Sequence, residues 1–246
     1  MRIINFLAGV ALGLAALNAT ATGAQASEIK VLGNESMPFC GLVDGKPAGM
    51  AVEILNAATR EGGPSFSFDF SAPWAREMVQ IHETTTLAII PFTRTPEREA
   101  LHKWIAELYP YKGHLVTVGR ATPLKSIEEA KDLDVGVLNG SALQPVVTKL
   151  EFTKLQTVAN DEINARKISA GRLEAWVVSQ YVDKYLYAKI GQDPAQLQYG
   201  PDLGSEYHIY IAADLAFPEA DAKSIADAVA RVRASGELDR ILQKYR

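Results

Sequence analysis

The most distinctive chemical groups of this sequence lie where an apolar stretch gives way to polar residues and an arginine. Residues 87–92 predict a buried strand, and residues 96–105 predict a helix that begins within the segment Pro91-Phe92-Thr93-Arg94-Thr95-Pro96-Glu97-Arg98. Ligands of α/β proteins gather at the carboxyl ends of strands, and the free N–H groups that begin a helix attract anions. Arg98 is therefore placed to bind a carboxylate through two parallel hydrogen bonds. The alternative is a surface arginine that pairs with a neighbouring glutamate.

A second strand-to-helix junction lies at Asn139-Gly140-Ser141. The strand is predicted over residues 134–138, and the helix that follows runs through Val147. Its backbone N–H groups can receive a ligand, but the turn lacks the Gly-Lys-Ser/Thr sequence of a phosphate loop, so nucleotide binding is not indicated. Many turns of this kind bind nothing.

Trp74 is the aromatic residue whose position favours ligand contact. The Pro73-Trp74 pair opens a predicted helix directly after a strand, which is a position at the edge of a cleft. Tyr181 and Tyr185 are four residues apart and share a helix face, which is typical of residues in a core.

The sequence offers little for catalysis. It contains no G-x-S-x-G nucleophile motif and no H-x-x-x-H pair among its four histidines, so neither a serine hydrolase nor a zinc hydrolase is indicated. Its single cysteine, Cys40, rules out an internal disulfide framework, and we expect it to be buried as a small apolar residue rather than reactive. No cofactor and no metal ion is predicted.

The composition is that of a soluble globular protein. The chain has 246 residues, of which 48% are hydrophobic and 22% charged, and its net charge is −4. A nucleic-acid-binding surface needs clustered basic residues, and this balance gives no sign of one.

Residues 1–26 read as a cleaved signal peptide. A positive start at Met1-Arg2 precedes an uncharged stretch over residues 3–17, and Ala24-Gln25-Ala26 supplies a small-x-small cleavage site. About 15 apolar residues are too few for a bilayer span, which takes about 20. The alternatives are an uncleaved anchor and a buried helix. In a bacterium, cleavage places the protein in the periplasm or the medium.

The remaining chain alternates strands with helices, which predicts α/β sheets covered by helices on both faces. Two clusters of strands favour two lobes over one sheet. Strands are predicted at 29–32, 65–70, 87–92, 115–118, 134–138, 173–178 and 208–213, and helices at 50–58, 74–81, 96–105, 141–147, 161–169, 180–190, 222–234 and 237–245.

Five motifs, in order along residues 28–246, resemble the bacterial extracellular solute-binding proteins of family 3, the periplasmic receptors of polar amino acid ABC importers. The motifs are Met37-Pro38-Phe39 with Asp44-Gly45-Lys46, Gly49 and Val52-Glu53-Ile54; Thr93-x-Thr95-Pro96-Glu97-Arg98; Val135-Gly136-Val137 with Gly140-Ser141; Ala170-Gly171-Arg172-Leu173-Glu174-Ala175; and Ala234-Ser235-Gly236-Glu237-Leu238 with Ile241 and Lys244-Tyr245.

The resemblance implies a two-lobed periplasmic-binding-protein-like fold of type II, in which each lobe is a sheet flanked by helices. Lobe one takes residues 27–112 and 206–246, and lobe two takes residues 113–205. The family captures a small carboxylate-bearing solute between its lobes and delivers it to an ABC permease in the inner membrane. The protein is then a periplasmic monomer and not an enzyme.

The resemblance also assigns residues to the ligand. Arg98 holds the carboxylate, with Thr93 beside it and Pro91 in the same segment. From lobe two, Ser141 presents its hydroxyl group and Ala142 its backbone N–H. Trp74 falls where the family often has an aromatic residue that packs on the ligand.

Two positions depart from the family pattern. Ser179 stands where amino acid receptors usually carry the aspartate that binds the ligand ammonium, and Ser36 replaces an aromatic residue. A buried ammonium without an opposite charge is costly. We therefore expect common α-amino acids to bind weakly or not at all, unless Glu35 supplies the charge.

An enzyme on the same fold is the runner-up function, since cyclohexadienyl dehydratases resemble the family. It would need an acid or base in the cleft, for which Glu35, Glu206 and His208 are the candidates. A sensory lobe is a third option.

Overall fold

The computed structural model describes residues 28–72 and 74–245, with the side chains at positions 74, 75 and 205 left out of that description. The predicted signal peptide lies outside the described residues. None of the helices in the described part is long and apolar enough to cross a membrane.

The described chain is a mixed α/β structure, as the alternation of patterns predicts. Its strands are β1 (Glu28–Leu32), β2 (Gly41–Val43), β3 (Lys46–Ala48), β4 (Ser65–Asp69), β5 (Leu87–Thr93), β6 (Lys103–Val118), β7 (Asp134–Leu138), β8 (Lys154–Val158), β9 (Ala175–Ser179) and β10 (Leu197–Ala213). Its α-helices are α1 (Met50–Arg60), α2 (Trp74–Gln80), α3 (Leu143–Lys149), α4 (Asp161–Ser169), α5 (Val182–Lys189), α6 (Glu219–Ala234) and α7 (Glu237–Gln243). Short 3₁₀ turns lie at Glu128–Ala130 and Pro194–Gln196.

Eight strands form one sheet in the order β4-β1-β5-β10-β6-β9-β7-β8. The three strands at each end run parallel to one another, whereas the long strands β10 and β6 in the middle are antiparallel to their neighbours. Helices α1, α6 and α7 pack together beside one half of the sheet, and α4 and α5 pack together beside the other. Each half therefore has a parallel βα arrangement, and the two long strands join them.

The predicted helix over residues 96–105 is wrong. Residues 96–101 form consecutive turns, in which the N–H of Arg98 donates to the carbonyl of Thr95 and that of Leu101 to the carbonyl of Arg98. Strand β6 then begins at Lys103, because Trp104 stacks on Phe92 with ring centroids 5.3 Å apart. This packing and the ladder to β10 outweigh the local helix preference, so Arg98 lies in a turn rather than at the start of a helix.

Most other predicted elements are present, with shifted ends. The prediction for β7 matches its bounds, whereas the predicted strands at 115–118 and 208–213 are the ends of the much longer β6 and β10. The hairpin β2–β3 and the strand β8 were not predicted. The hairpin turns at Asp44-Gly45, where both residues have positive φ (51° and 72°), the conformation of a type I′ turn.

Candidate ligand-binding cleft

A cleft of about 190 Å³ lies at the carboxyl ends of strands from both halves of the sheet. One side of it includes Asn34, Ser36, Phe39, Pro91, Thr93, Arg98 and Tyr111, and the other includes the stretch 138–143, Ala159, Asp161, Val177, Val178, Ser179 and Val182. Residues that follow β5, β7 and β8 thus meet at one place, as expected for an α/β sheet.

Arg98 is held in the cleft by its own segment. Its Nη1 donates to the carbonyl oxygen of Thr93 at 3.1 Å, and its guanidinium lies 4.8 Å from the centre of the Phe92 ring. No carboxylate of the described residues lies within 4.0 Å of it. The side chain is half-buried, and that burial lowers the pKa of Arg98 from its ordinary value without neutralising it. The arrangement leaves a partly dehydrated cation open to an anion.

Neighbouring Arg94 differs from Arg98, because its guanidinium already has partners on the protein surface. It forms a two-pronged ion pair with Glu99, at 2.7 and 2.5 Å, and lies over the rings of Trp104 and Tyr210. The surface pairing that the sequence left open for Arg98 is thus taken by Arg94.

Thr93 and Tyr111 add hydroxyl groups beside the arginine. Their oxygens are 3.3 Å apart, and burial raises the pKa of Tyr111 to about 12, so the phenol stays protonated and can donate. Tyr111 also stacks on Tyr207, with ring centroids 5.3 Å apart. The anion-facing wall therefore combines one charge with two neutral donors.

The turn before α3 forms the opposite wall. The Ser141 hydroxyl accepts from the N–H of Gln144 at 3.2 Å, and the Gln144 side chain accepts from the N–H of Gly140 at 2.6 Å. The backbone N–H of Ala142 donates to no acceptor within the described residues. Gly113 lets α3 approach this closely, since a Cβ there would lie 2.3 Å from Leu143.

Ser179, the last residue of β9, also lines the cleft. Only 5% of its surface is exposed, and its hydroxyl oxygen has no hydrogen-bond partner among the described residues. A buried hydroxyl without a partner costs about 1–3 kcal/mol, which a ligand or water bound in the cleft would relieve.

Asp161, the first residue of α4, contributes a carboxylate to the cleft. The N-cap of this helix is the preceding residue, Asn160, whose side chain accepts from the N–H of Ile163. The Oδ1 of Asp161 accepts from Trp176 Nε1 at 3.0 Å and from Asn164 Nδ2 at 3.2 Å. Burial nevertheless raises the pKa of Asp161 to about 6, because these two bonds only partly offset the loss of water.

Six of the eight predicted ligand residues line this one cleft: Pro91, Thr93, Arg98, Ser141, Ala142 and Ser179. Glu35 is exposed and lines an adjoining cavity of about 460 Å³, which shares Asn34, Ser36, Leu138, Ala159, Asp161 and Val182 with the cleft. Trp74 begins α2, and its side chain is not described.

Asp161 and Tyr111 were not predicted as cleft residues. Asp161 follows β8, which ends beside the parallel strand β7, and the N–H of Asn139 after β7 donates to the Val158 carbonyl at 2.9 Å. Recognising residues 154–158 as a strand would have placed Asp161 at the same edge as the predicted turn at Asn139.

Other reactive groups lie elsewhere. Cys40 is buried as predicted, and burial raises the pKa of its thiol far above the usual range. Glu206 and His208, the candidates for an enzyme's acid and base, do not line either cavity in the part of the chain that the structure describes. Within residues 28–72 and 74–245 no three potential metal-ligating side chains cluster.

Comparison with known proteins identifies the fold. No family model and no curated protein matches the sequence. Among solved structures, the amino acid ABC transporter substrate-binding protein AbpA from Streptococcus pneumoniae, bound to L-arginine, has a TM-score of 0.73 at 17% identity, covering 89% of this chain and 94% of that one. Such substrate-binding proteins recur among the similar structures.

Two further similar structures widen the range of functions seen on this fold. A histidine kinase sensor domain with similarity to periplasmic binding proteins has a TM-score of 0.77 at 15% identity, over 90% of this chain and 96% of that one. The ancestral amino-acid-binding protein AncCDT-1, a precursor of cyclohexadienyl dehydratase, has 0.72 at 18% identity, over 89% and 94%. The chain therefore has the two-lobed, periplasmic-binding-protein-like fold that its motifs predict.

Proposed function

We propose that the protein is the solute-binding component of an ABC-type importer and captures a small carboxylate-bearing solute between two lobes. Arg98 is the observation that carries this proposal. A half-buried guanidinium with free donors faces a cleft, and the described residues supply no carboxylate for it. In this proposal the carboxylate of the ligand pairs with Arg98, and Thr93 and the N–H of Ala142 donate hydrogen bonds to it.

We assign residues 27–112 and 206–246 to lobe one and residues 113–205 to lobe two, so that the chain would cross between the lobes within β6 and β10. The sheet supports this assignment, because three parallel strands lie at each end of it. Ligand contacts come from both lobes, so a bound solute favours the closed arrangement through its greater affinity for that state.

Export completes the proposal. Cleavage after Ala26 would release a mature monomer that begins at Ser27 in the periplasm, where it delivers its solute to an inner-membrane permease. N-terminal sequencing of the periplasmic protein tests this part, and a start at Met1 would contradict it.

The decisive experiment is recovery of the solute. We expect mass spectrometry of molecules released on denaturing the purified protein to find a small carboxylate-bearing compound. Adding that compound back to stripped protein is expected to reduce the radius of gyration measured by small-angle X-ray scattering. An unchanged radius at saturation would contradict closure of two lobes.

A dehydratase-like enzyme is the second candidate, supported by the similarity to AncCDT-1 and by an acidic group, Asp161, in the cleft. Incubating stoichiometric protein with the recovered solute separates the two functions. A binding protein returns the solute unchanged, whereas conversion to a product of lower mass indicates catalysis.

A further inference from the structure

The carboxylate of Asp161 is the one acidic group that lines both the cleft and the adjoining cavity in the described part of the chain. Its Oδ1 is fixed by Trp176 and Asn164, but its Oδ2 has no hydrogen-bond partner among the described residues. No lysine, arginine or histidine of these residues lies within 4.0 Å of it. The carboxylate is thus held in place and half-buried, with no positive charge beside it.

Nearby charged side chains do not neutralise the Asp161 carboxylate. Glu162, the next residue, takes the two nearby cations, since its carboxylate contacts Arg166 at 2.7 Å and Lys189 at 3.0 Å. Glu35 lines only the adjoining cavity and is exposed, so water screens it. Of these three carboxylates, Asp161 is therefore the one that would attract a positively charged ligand group most strongly.

A second observation in the same cleft points to a ligand. Only 5% of Ser179 is exposed, and its buried hydroxyl oxygen has no hydrogen-bond partner among the described residues. Ser179 ends β9, whereas Asp161 lies three residues beyond the end of β8, and β7 lies between these two strands. Adjacent strands are about 4.8 Å apart, so the ends of β9 and β8 are separated by about 10 Å across the sheet.

The separation between the ends of β9 and β8 determines how far the positive group of a ligand lies from its carboxylate. Arg98 follows β5, on the far side of β9 from Asp161 in the strand order. A positive group that reaches Asp161 therefore lies farther from the Arg98-bound carboxylate than one that reaches Ser179. We propose, on the basis of the proposed function, that Asp161 binds a positively charged nitrogen at the end of the solute remote from its carboxylate.

Three six-carbon acids test this inference by titration calorimetry at pH 7.5. Hexanoate carries no nitrogen, norleucine carries an ammonium beside its carboxylate, and 6-aminohexanoate carries one at the far end. We expect 6-aminohexanoate to bind at least tenfold more tightly than hexanoate, and norleucine to gain no such advantage. Asp161→Asn is expected to abolish this advantage, because it removes the negative charge that favours 6-aminohexanoate over hexanoate.

Asp161→Asn keeps an oxygen for Trp176 and Asn164, so folding is retained, and thermal melting verifies it. Asp227→Asn, on the exposed face of α6, is the matched control and is expected to keep the advantage.

Three results would overturn the inference while the proposed function stands. Hexanoate and 6-aminohexanoate could bind equally well, the advantage could survive Asp161→Asn, or it could be lost in Glu35→Gln instead. Absence of binding by all three acids also overturns it, and solute recovery then decides the proposed function separately.

Discussion

The guanidinium of Arg98 donates to the carbonyl oxygen of Thr93, five residues earlier in the chain, at 3.1 Å. One nitrogen thus fixes the side chain against the end of β5, and the other guanidinium donors have no acceptor among the described residues. An arginine held in this way loses little conformational entropy when it binds an anion, which favours affinity.

Arg98→Ala is expected to weaken binding of the recovered solute by about 2–5 kcal/mol, the range for removing one partner of a buried charge pair. Arg98→Lys is also expected to lose affinity, because an ammonium cannot reproduce two parallel hydrogen bonds. Calorimetric titration measures both effects. Arg94→Ala, which removes an arginine that is already paired with Glu99, serves as the control. Equal affinity in Arg98→Ala and the unmodified protein would show that Arg98 takes no part in binding.

Ser179→Asp tests the departure from the family pattern. The unmodified protein is expected to bind α-amino acids with uncharged side chains weakly, because a serine cannot balance an ammonium in the cleft. The substitution is expected to improve binding of some of them and to weaken binding of the recovered solute, since a new carboxylate near its anion repels it. A thermal-shift screen on both proteins measures this. Micromolar binding of such an amino acid to the unmodified protein would mean that another carboxylate takes the aspartate's role.

Asp161→Asn is expected to stabilise the ligand-free protein at neutral pH. Burial raises the pKa of Asp161 to about 6, above about 3.9 in the unfolded chain, so the folded state binds more protons between these values. The contribution of Asp161 to unfolding free energy therefore falls as pH rises from about 4 to 6 and stays low above that.

At about 1.4 kcal/mol per pKa unit, we expect a gain of about 1–3 kcal/mol for Asp161→Asn at pH 7.5 and almost none at pH 4. Urea unfolding at both pH values measures it. Glu162 titrates lower, because hydrogen bonds from Arg166 and Lys189 lower its pKa, so it does not mask the effect. A variant that is less stable at pH 7.5 would show that the Asp161 charge supports the fold.

The buried pair of His114 and Asp183 is expected to anchor α5 to β6. Their side chains meet at 2.8 Å, with 7% of His114 and none of Asp183 exposed. His114→Leu leaves the carboxylate without this partner, and we expect a loss of about 3–5 kcal/mol in unfolding free energy. Replacing both residues by leucine is expected to recover much of it. Lys223→Ala breaks an exposed pair with Asp227 and is expected to cost at most about 1 kcal/mol.

Local sequence patterns predicted an element correctly where its contacts with the rest of the fold favour the same structure. Residues 134–138 run from Asp134 through two valines around a glycine to Leu138, and β7 has these bounds. Residues 96–105 have the composition of a helix, but Trp104 stacks on Phe92 and β6 pairs along β10, contacts that join residues far apart in the chain. No local pattern contains that information.

The same distinction holds for the cleft. Arg98 was predicted because its segment follows an apolar strand, although the helix expected to begin there is a turn. Asp161 was not, because residues 154–158 are mostly polar and β8 has only one buried position, Val158. Without β8, nothing in the sequence places Asp161 beside the turn at Asn139.

Strands β6 and β10 have a consequence for how the chain unfolds. They are paired from Lys103 with Ala213 at one end to Val118 with Leu197 at the other, and both lobes use them as sheet strands. Neither lobe can lose its sheet without disturbing strands on which the other depends. We therefore expect a single calorimetric transition, with equal calorimetric and van't Hoff enthalpies, instead of the separate transitions of independent domains. The unit that unfolds cooperatively is then larger than either of the lobes that we propose to close on a solute.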